Sequence, residues 1–187
     1  MIQTSQTTTE TLPQSLETFL DWEPNDGFKY EWNDGEIIQF EGMKENQMYI
    51  YDRLLDLLID LGYKKYGTLI AEQDVVVSGI QIRRPDIAYF TREQIGQSAK
   101  GIKSIPEFVI EIISNNDEIN KLEQKLTEYF KAGVQVVWIV IPEQQVVNVY
   151  TSRRDVRACL ENDMCSAAPV LPGFEISVND MLVVTEA

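Results

Sequence analysis

The segment from 108 to 141 constrains the fold more than any other part of the chain. Residues 108–113 and 134–141 are two nearly continuous apolar runs, which are typical of strands buried on both faces. Between them, residues 117–132 have apolar side chains at helical spacing, and Gly133 follows where helices commonly end. A strand, a helix and a strand in this order predict a parallel pair joined by a right-handed crossover.

The rest of the chain supplies further helix and strand patterns around this unit. Asn33-Asp34-Gly35 separates two strand patterns and is a strong hairpin signal, which predicts an antiparallel pair. The longest clear helix pattern spans 46–61, with Gly62 just past its end. The remaining predictions are short helices over 15–22 and near Asn179, strands over 28–32, 36–40, 68–77, 81–90 and 146–150, and a turn over 142–145.

Together these elements predict an α/β (α+β) fold, in which a mixed β-sheet is flanked by helices. A chain of 187 residues suits one domain with a sizeable core, so we expect a flexible tail over 1–12 and a single domain over 13–187. The polar N-terminus lacks the apolar stretch of a signal peptide. No apolar run approaches the roughly 18 residues of a membrane span. We therefore expect a cytoplasmic protein with no membrane partner.

The absence of histidine narrows the possible chemistry. It excludes Ser-His-Asp and Cys-His nucleophile pairs, and it excludes any metal site with histidine ligands. Acid–base chemistry must then use carboxylates, lysine or tyrosine, and a metal site must use oxygen ligands, which favours Mg²⁺ or Mn²⁺. Cys159 and Cys165 are expected to be reduced thiols, with a disulfide as the less favoured alternative.

The net charge of −14 argues against tight non-specific binding of DNA. Proteins that bind nucleic acid usually present a basic face, because neutralising phosphates releases counterions. Any basic surface here must be local or must be formed by dimerisation.

Two acidic residues stand at positions that favour a functional site. Asp86 follows Arg84-Pro85 at the start of an apolar strand pattern, where Pro85 restricts the backbone around it. Taken alone, Asp86 is also consistent with an ordinary turn residue. Glu111 lies within the apolar run 108–113, where an ionised carboxylate is costly without a cation or hydrogen-bond donors. An ion pair with a buried Arg or Lys, or an edge-facing position, is the structural alternative.

A lysine on the following helix would complete a site. Lys125 borders the apolar face of that helix beside Tyr129, whereas Lys121 is expected to be more solvated. A solvated lysine is the ordinary alternative for either position. Two carboxylates can hold Mg²⁺ with water, and a nearby ammonium can orient or help to deprotonate the attacking water. Glu36, after the hairpin turn, is a further candidate metal ligand, with an exposed strand glutamate as the alternative.

At these motifs the chain resembles the Uma-two family, whose members are named as restriction endonucleases within the PD-(D/E)xK nuclease superfamily. The similarity covers roughly residues 28–182. The similar motifs are Asn33-Asp34-Gly35-Glu36-Ile37, Arg84-Pro85-Asp86-Ile87-Ala88, Glu111-Ile112-Ile113-Ser114, the stretch from Lys125 to Tyr129 with Gly133-Val134 and Trp138-Ile139-Val140, and Leu171-Pro172-Gly173. No single motif is specific, but their order and spacing are.

The resemblance implies a restriction-endonuclease-like fold with Asp86 and Glu111 as metal ligands and Lys125 as a displaced catalytic lysine. In the superfamily's usual pattern the lysine lies two residues after the acid, where this chain has Ile113. The lysine must therefore come from the helix.

We expect, on this basis, a DNA endonuclease that uses Mg²⁺ or Mn²⁺ to hydrolyse phosphodiester bonds. Two alternatives stay open: a weak or inactive nuclease-fold module for binding or dimerisation, and a metal-dependent hydrolase of a smaller phosphate ester, which would suit the acidic charge better. A homodimer is also expected, because the apolar segment 134–150 has more exposed-strand potential than a small monomer needs. The superfamily resemblance implies the same, because two-strand cleavage often uses two subunits.

Overall fold

The computed structural model describes residues 12–40, 42–113 and 119–183. Its helices are α1 (Leu16–Leu20), α2 (Met48–Asp60), α3 (Arg92–Ser98), α4 (Ile119–Ala132) and α5 (Val178–Leu182). Its strands are β1 (Lys29–Asn33), β2 (Glu36–Phe40), β3 (Gly67–Ala71), β4 (Val75–Ser78), β5 (Gln81–Arg83), β6 (Ile87–Thr91), β7 (Phe108–Ile112), β8 (Val136–Ile141), β9 (Val146–Tyr150), β10 (Val156–Leu160), β11 (Met164–Ser166) and β12 (Glu175–Ser177). The predicted tail, except Leu12, and the first two residues of the predicted helix 117–132 lie outside the described residues.

The largest sheet has six strands in the order β10-β9-β8-β7-β6-β3. Strands β7 and β8 are parallel, while the other neighbours in this sheet are antiparallel. Because α4 connects the two parallel strands, the predicted parallel strand–helix–strand unit is confirmed. A four-stranded antiparallel sheet, β2-β1-β5-β4, and the pair β11-β12 complete the strands, so the mixed α+β fold class is also confirmed.

The predicted hairpin between β1 and β2 is confirmed. Asn33 pairs with Glu36, and the two residues between them, Asp34 and Gly35, have φ values of 48° and 93°. Two positive φ values suit the type I′ turn, whose twist matches that of the strands it joins.

Two predicted strands were wrong, because each divides between two sheets. The pattern 68–77 forms β3 in the six-stranded sheet and β4 in the four-stranded sheet, and 81–90 divides likewise into β5 and β6. Glu72, with φ of 52°, lies in the first break. Pro85 lies in the second, where a residue without an N–H cannot continue a ladder. These breaks place Asp86 where the two sheets meet.

The helices differ from their predictions for local reasons. Helix α2 buries Ile50, Leu54 and Leu58, and Gly62 with φ of 75° follows its end, as the pattern predicted. Helix α3 was not predicted, because none of its residues is buried and it therefore has no apolar periodicity. No helix among the described residues is long and apolar enough to cross a membrane.

The two faces of the six-stranded sheet bury separate apolar clusters. One face packs against α2 and α5, with Phe108, Ile110 and Trp138 at its centre. The other face packs against α4 and β4, whose contributions include Leu126 and Val75. A third cluster lies under α1, on the four-stranded sheet. The candidate site lies on the α4 face.

Strands β8 and β9 each have a strand on both sides, and β10 forms the edge of the sheet. The exposed-strand potential of the segment 134–150 was the residue-based reason for expecting a dimer. The structure leaves no free strand edge in that segment. Cys159 and Cys165 are both buried and free, as predicted.

Candidate active site

Asp86 and Glu111 lie side by side on neighbouring strands. The pairing of Ile87 with Ile110 in β6 and β7, extended by one residue, places Asp86 opposite Glu111. Asp86 Oδ2 accepts a hydrogen bond of 2.6 Å from the backbone amide of Ile112. The structure thus brings together the two carboxylates that the sequence singled out.

The environment of Asp86 disfavours its charge. Burial, and then the negative charge of Glu111, raises the pKa of Asp86 to about 8. The Ile112 amide and the Lys125 ammonium oppose this shift only in part. Asp86 is therefore mostly protonated near neutral pH. A divalent cation that binds its carboxylate has to displace this proton.

Glu111 is held in β7 with 5% of its surface exposed. Its Oε1 accepts a hydrogen bond of 2.5 Å from the Tyr129 hydroxyl, and its Oε2 lies 3.4 Å from Lys125 Nζ. Burial raises the pKa of Glu111, and the charge of Lys125 opposes this shift. Burial and the charge of Glu111 also raise the pKa of Tyr129, so this phenol stays a hydrogen-bond donor.

Lys125 reaches from α4 toward both sheets. Its Nζ lies 2.9 Å from Glu31 Oε1, nearer than to Glu111, and 5.5 Å from the centre of the Phe40 ring. Burial favours the neutral amine, but the charges of Glu111 and Glu31 outweigh it and raise the pKa of Lys125. Lys125 is therefore an ammonium at neutral pH. Lys121, by contrast, is exposed on α4.

Glu36 is not brought to this cluster. It is exposed at the start of β2. Within the described ranges no hydrogen bond or ion pair joins its side chain to Asp86, Glu111 or Lys125.

The sequence did not single out three charged residues that are buried beside the site. Glu31 on β1 is 1% exposed, Arg83 on β5 is 2% exposed and Glu128 on α4 is 9% exposed. Arg83 joins the other two: its Nη1 lies 3.0 Å from Glu31 Oε2, and its Nε lies 2.5 Å from Glu128 Oε2. The site is therefore one end of a buried network that links α4 to the four-stranded sheet.

Comparison with protein families matches residues 16–179 to a family described as "Uma2: Putative restriction endonuclease". The chain belongs to the Uma2 family. No curated protein sequence matches this Uma2 chain significantly. Among solved structures it is similar to a protein described as a "putative nuclease belonging to DUF820" from Anabaena variabilis ATCC 29413, with 22% identity and a TM-score of 0.73. That likeness covers 91% of this chain and 98% of the other, and it shows a shared fold.

The local sequence around Glu31 in this Uma2 chain does not reveal its role. Glu31 lies between Tyr30 and Trp32, and the alternation of a strand sends it to the opposite face from these aromatic residues. Tyr30 and Trp32 belong to the cluster under α1, so Glu31 faces α4. A polar residue between two apolar residues of a strand usually faces solvent, so this alternation alone does not predict that Glu31 is buried beside Lys125.

The donor set suits a divalent cation with water ligands. Among residues 12–40, 42–113 and 119–183, no three acidic or cysteine side chains converge into a protein cage for a metal. Mg²⁺ usually keeps several waters and uses one or two carboxylates. Asp86 and Glu111 supply two such oxygen donors, and burial, which removes water from each carboxylate, raises the pKa of both. Mg²⁺ or Mn²⁺ therefore fits these residues.

Proposed function

We propose that this Uma2 chain is a DNA endonuclease that depends on Mg²⁺ or Mn²⁺. The description of its family supports nuclease activity. The observation that carries the proposal is the adjacency of Asp86, directly before β6, and Glu111 on β7, with Lys125 Nζ 3.4 Å from Glu111 Oε2. Two carboxylates and an ammonium are a sufficient set for phosphodiester hydrolysis without histidine.

In this proposal Asp86 and Glu111 hold the cation. When bound, such a cation polarises the phosphoryl group and lowers the pKa of water at the site. Tyr129 fixes the direction of the Glu111 carboxylate through its hydrogen bond to Oε1. Because the Asp86 proton competes with a cation, binding is expected to strengthen as the pH rises toward about 8.

Lys125 acts through its charge. Its raised pKa keeps it protonated at neutral pH, so it cannot accept a proton from the attacking water. The ammonium instead stabilises the negative charge that develops on the phosphate and orients the water by hydrogen bonding. This refines the expectation from sequence that the lysine orients or helps to deprotonate water.

A smaller phosphate ester is the second candidate substrate. The net charge of −14 favours it, because a long polyanion is repelled by an acidic surface. The same residues would serve either substrate, so the two functions are separated by measuring which substrate is turned over.

The test is nicking of supercoiled plasmid by the pure protein in Mg²⁺ or Mn²⁺, beside hydrolysis of a small phosphodiester. We expect nicking by the native protein and its loss in Asp86→Asn and Glu111→Gln. Glu107→Gln, an exposed position just before β7, is the matched control and should nick normally. Turnover of the small ester alone would favour the second candidate, and equal nicking by all four proteins would exclude the assigned site.

We also propose a homodimer, in which two subunits present their few basic residues together. Strand β10 supports this, because it is a sheet edge with Val156 53% exposed and Leu160 49% exposed. Sedimentation at micromolar concentration should show twice the 21.5 kDa of one chain, and a 21.5 kDa species alone would contradict the dimer.

A further inference from the structure

Glu31 lies at the junction of two ion pairs, one with the buried Arg83 and one with the partly buried Lys125. Its Oε1 lies 2.9 Å from Lys125 Nζ and accepts a 2.9 Å hydrogen bond from the backbone amide of Arg84. Its Oε2 accepts a 3.0 Å hydrogen bond from Arg83 Nη1. Because the side chain is only 2% exposed, these donors replace water as the partners of the carboxylate and fix its direction.

Arg83 ties Glu31 to the helix that bears Lys125. Its Nε and Nη2 donate to the two carboxylate oxygens of Glu128, over 2.5 and 3.0 Å. Such a two-point contact fixes orientation as well as distance. Gln81 and Gln124 also donate to Glu128 Oε1, over 2.8 and 3.0 Å. Glu128 lies one helical turn after Lys125, so α4 is held to β1 and β5 at the level of the candidate site.

The position of the Lys125 ammonium depends on which carboxylate holds it. It lies 2.9 Å from Glu31 but 3.4 Å from Glu111, so Glu31 is the nearer partner. If Glu31 were uncharged, Glu111 would be the carboxylate left beside Lys125. An ammonium drawn onto Glu111 would occupy the oxygens to which the proposed function assigns the cation.

We propose that Glu31 is a positioning residue, which keeps the Lys125 ammonium nearer to Glu31 than to Glu111 while Arg83 and Glu128 hold Glu31 in place. This inference rests on the proposed function where it assigns the cation to Glu111 and the phosphate to Lys125. The geometric part, that Glu31 determines where Lys125 lies, is independent of any activity. Arg83 and Glu128 then act on the site only through Glu31 and Lys125.

The first test observes Lys125 in the metal-free protein by ¹H–¹⁵N spectroscopy of lysine side-chain ammonium groups. A buried, hydrogen-bonded ammonium exchanges slowly with water, and Lys125→Met identifies its signal. In Glu31→Gln, which keeps the shape of the side chain, we expect this signal to shift or vanish. Glu107→Gln should leave it unchanged. An unchanged signal in a folded Glu31→Gln protein would overturn the proposal.

The second test measures Mn²⁺ affinity in a double-mutant cycle. Glu31→Gln should weaken binding by about tenfold when Lys125 is present, the size typical of groups that orient metal ligands. In the Lys125→Met background the same substitution should change the affinity by less than about twofold. Equal losses in both backgrounds would mean that Glu31 acts on the cation directly, which contradicts positioning through Lys125.

The two tests also separate this inference from the proposed function. A native protein that shows the expected ammonium signals but neither binds Mn²⁺ nor nicks DNA would contradict the nuclease proposal while the role of Glu31 in placing Lys125 stands. If Glu31→Gln alone fails to fold, the Glu31→Gln, Lys125→Met double variant replaces the ion pair with a neutral pair. Its Mn²⁺ affinity should then match that of Lys125→Met, and a further loss of affinity would overturn the proposal. Its stability is expected to be lower than that of Lys125→Met, because Glu31→Gln also removes the charged partner of Arg83.

Discussion

The Tyr129 hydroxyl donates a hydrogen bond of 2.5 Å to Glu111 Oε1, from near the end of α4 to the next-to-last residue of β7. Tyr129 is fully buried, so its ring can present the hydroxyl in essentially one direction. The direction of the Glu111 carboxylate is therefore set by a side chain on a helix, and not by water.

Tyr129→Phe removes this donor and keeps the packing of the ring. Because the hydrogen bond lowers the pKa of Glu111, its loss should raise that pKa further and move cation binding to higher pH. We expect about a tenfold loss of nicking at pH 7, consistent with a lost charge-assisted hydrogen bond. Titrations with Mn²⁺ at several pH values measure the shift. Tyr150→Phe, partly exposed on β9, is the control, and identical pH profiles in all three proteins would contradict the role of Tyr129.

Lys125→Ala should abolish turnover, while Lys121→Ala should do little. Lys125 contacts Glu31 and Glu111, whereas Lys121 is exposed on α4. Loss of a charge that stabilises the transition state costs about 3 kcal/mol, or more than a hundredfold in rate. Mn²⁺ affinity should be unchanged or slightly higher in Lys125→Ala, because a competing cation has been removed. Nicking rates and Mn²⁺ binding are to be measured for both variants. If Lys121→Ala is the inactive protein, the assignment of Lys125 to the site is wrong.

The metal-free protein should lose stability as the pH rises, because of Asp86. Its pKa is about 8 in the folded chain, whereas the ordinary value for an aspartate is 3.8, so the folded state binds the extra proton between these values. A raised pKa gives a contribution that is complete below about pH 4 and is lost as the pH rises through about 8. Asp86→Asn should flatten this dependence in urea unfolding across that range. A native protein whose free energy of unfolding rises over the same interval would contradict the raised pKa.

The sequence predicted the parts of the fold that depend on local patterns. The unit β7–α4–β8 was recognisable because each element has its own periodicity, and the β1–β2 hairpin because Asp34-Gly35 tolerates positive φ. The division of the strands between two sheets was not predicted. Strand periodicity continues on both sides of Glu72 and of Pro85, so it does not show that the chain changes sheet there.

In the candidate site, too, local patterns predicted some residues, while others are brought in only by tertiary packing. Glu111 was noticeable because a carboxylate within an apolar run is costly, and Asp86 because it follows Pro85 at the start of a strand pattern. Lys125 followed from helix geometry, although the apolar Ile119, at the start of the same helix, is 73% exposed. Glu31, Arg83 and Glu128 come from three distant parts of the chain, and only the packing of β1, β5 and α4 pairs them. No local pattern contains that pairing.

The buried network should make Arg83 important for stability. Arg83→Met leaves Glu31 Oε2 and the Glu128 carboxylate without the cation that they share. Breaking a buried ion pair by removing one partner costs about 3–5 kcal/mol, because the remaining charge stays buried. We expect a loss of this size in the free energy of unfolding, measured in urea at pH 7.

Arg84→Met is the matched control for that measurement, one residue along the chain. Arg84 pairs with Asp74 over 2.7 Å, but their side chains are 21% and 25% exposed, so water can replace the lost partner. The expected cost is about 0–1 kcal/mol. Adding Glu128→Gln to Arg83→Met removes one of the two carboxylates that have lost Arg83. The double variant should therefore recover part of the lost free energy of unfolding. If Arg83→Met and Arg84→Met are equally stable, Arg83 is not needed to stabilise the buried carboxylates of Glu31 and Glu128.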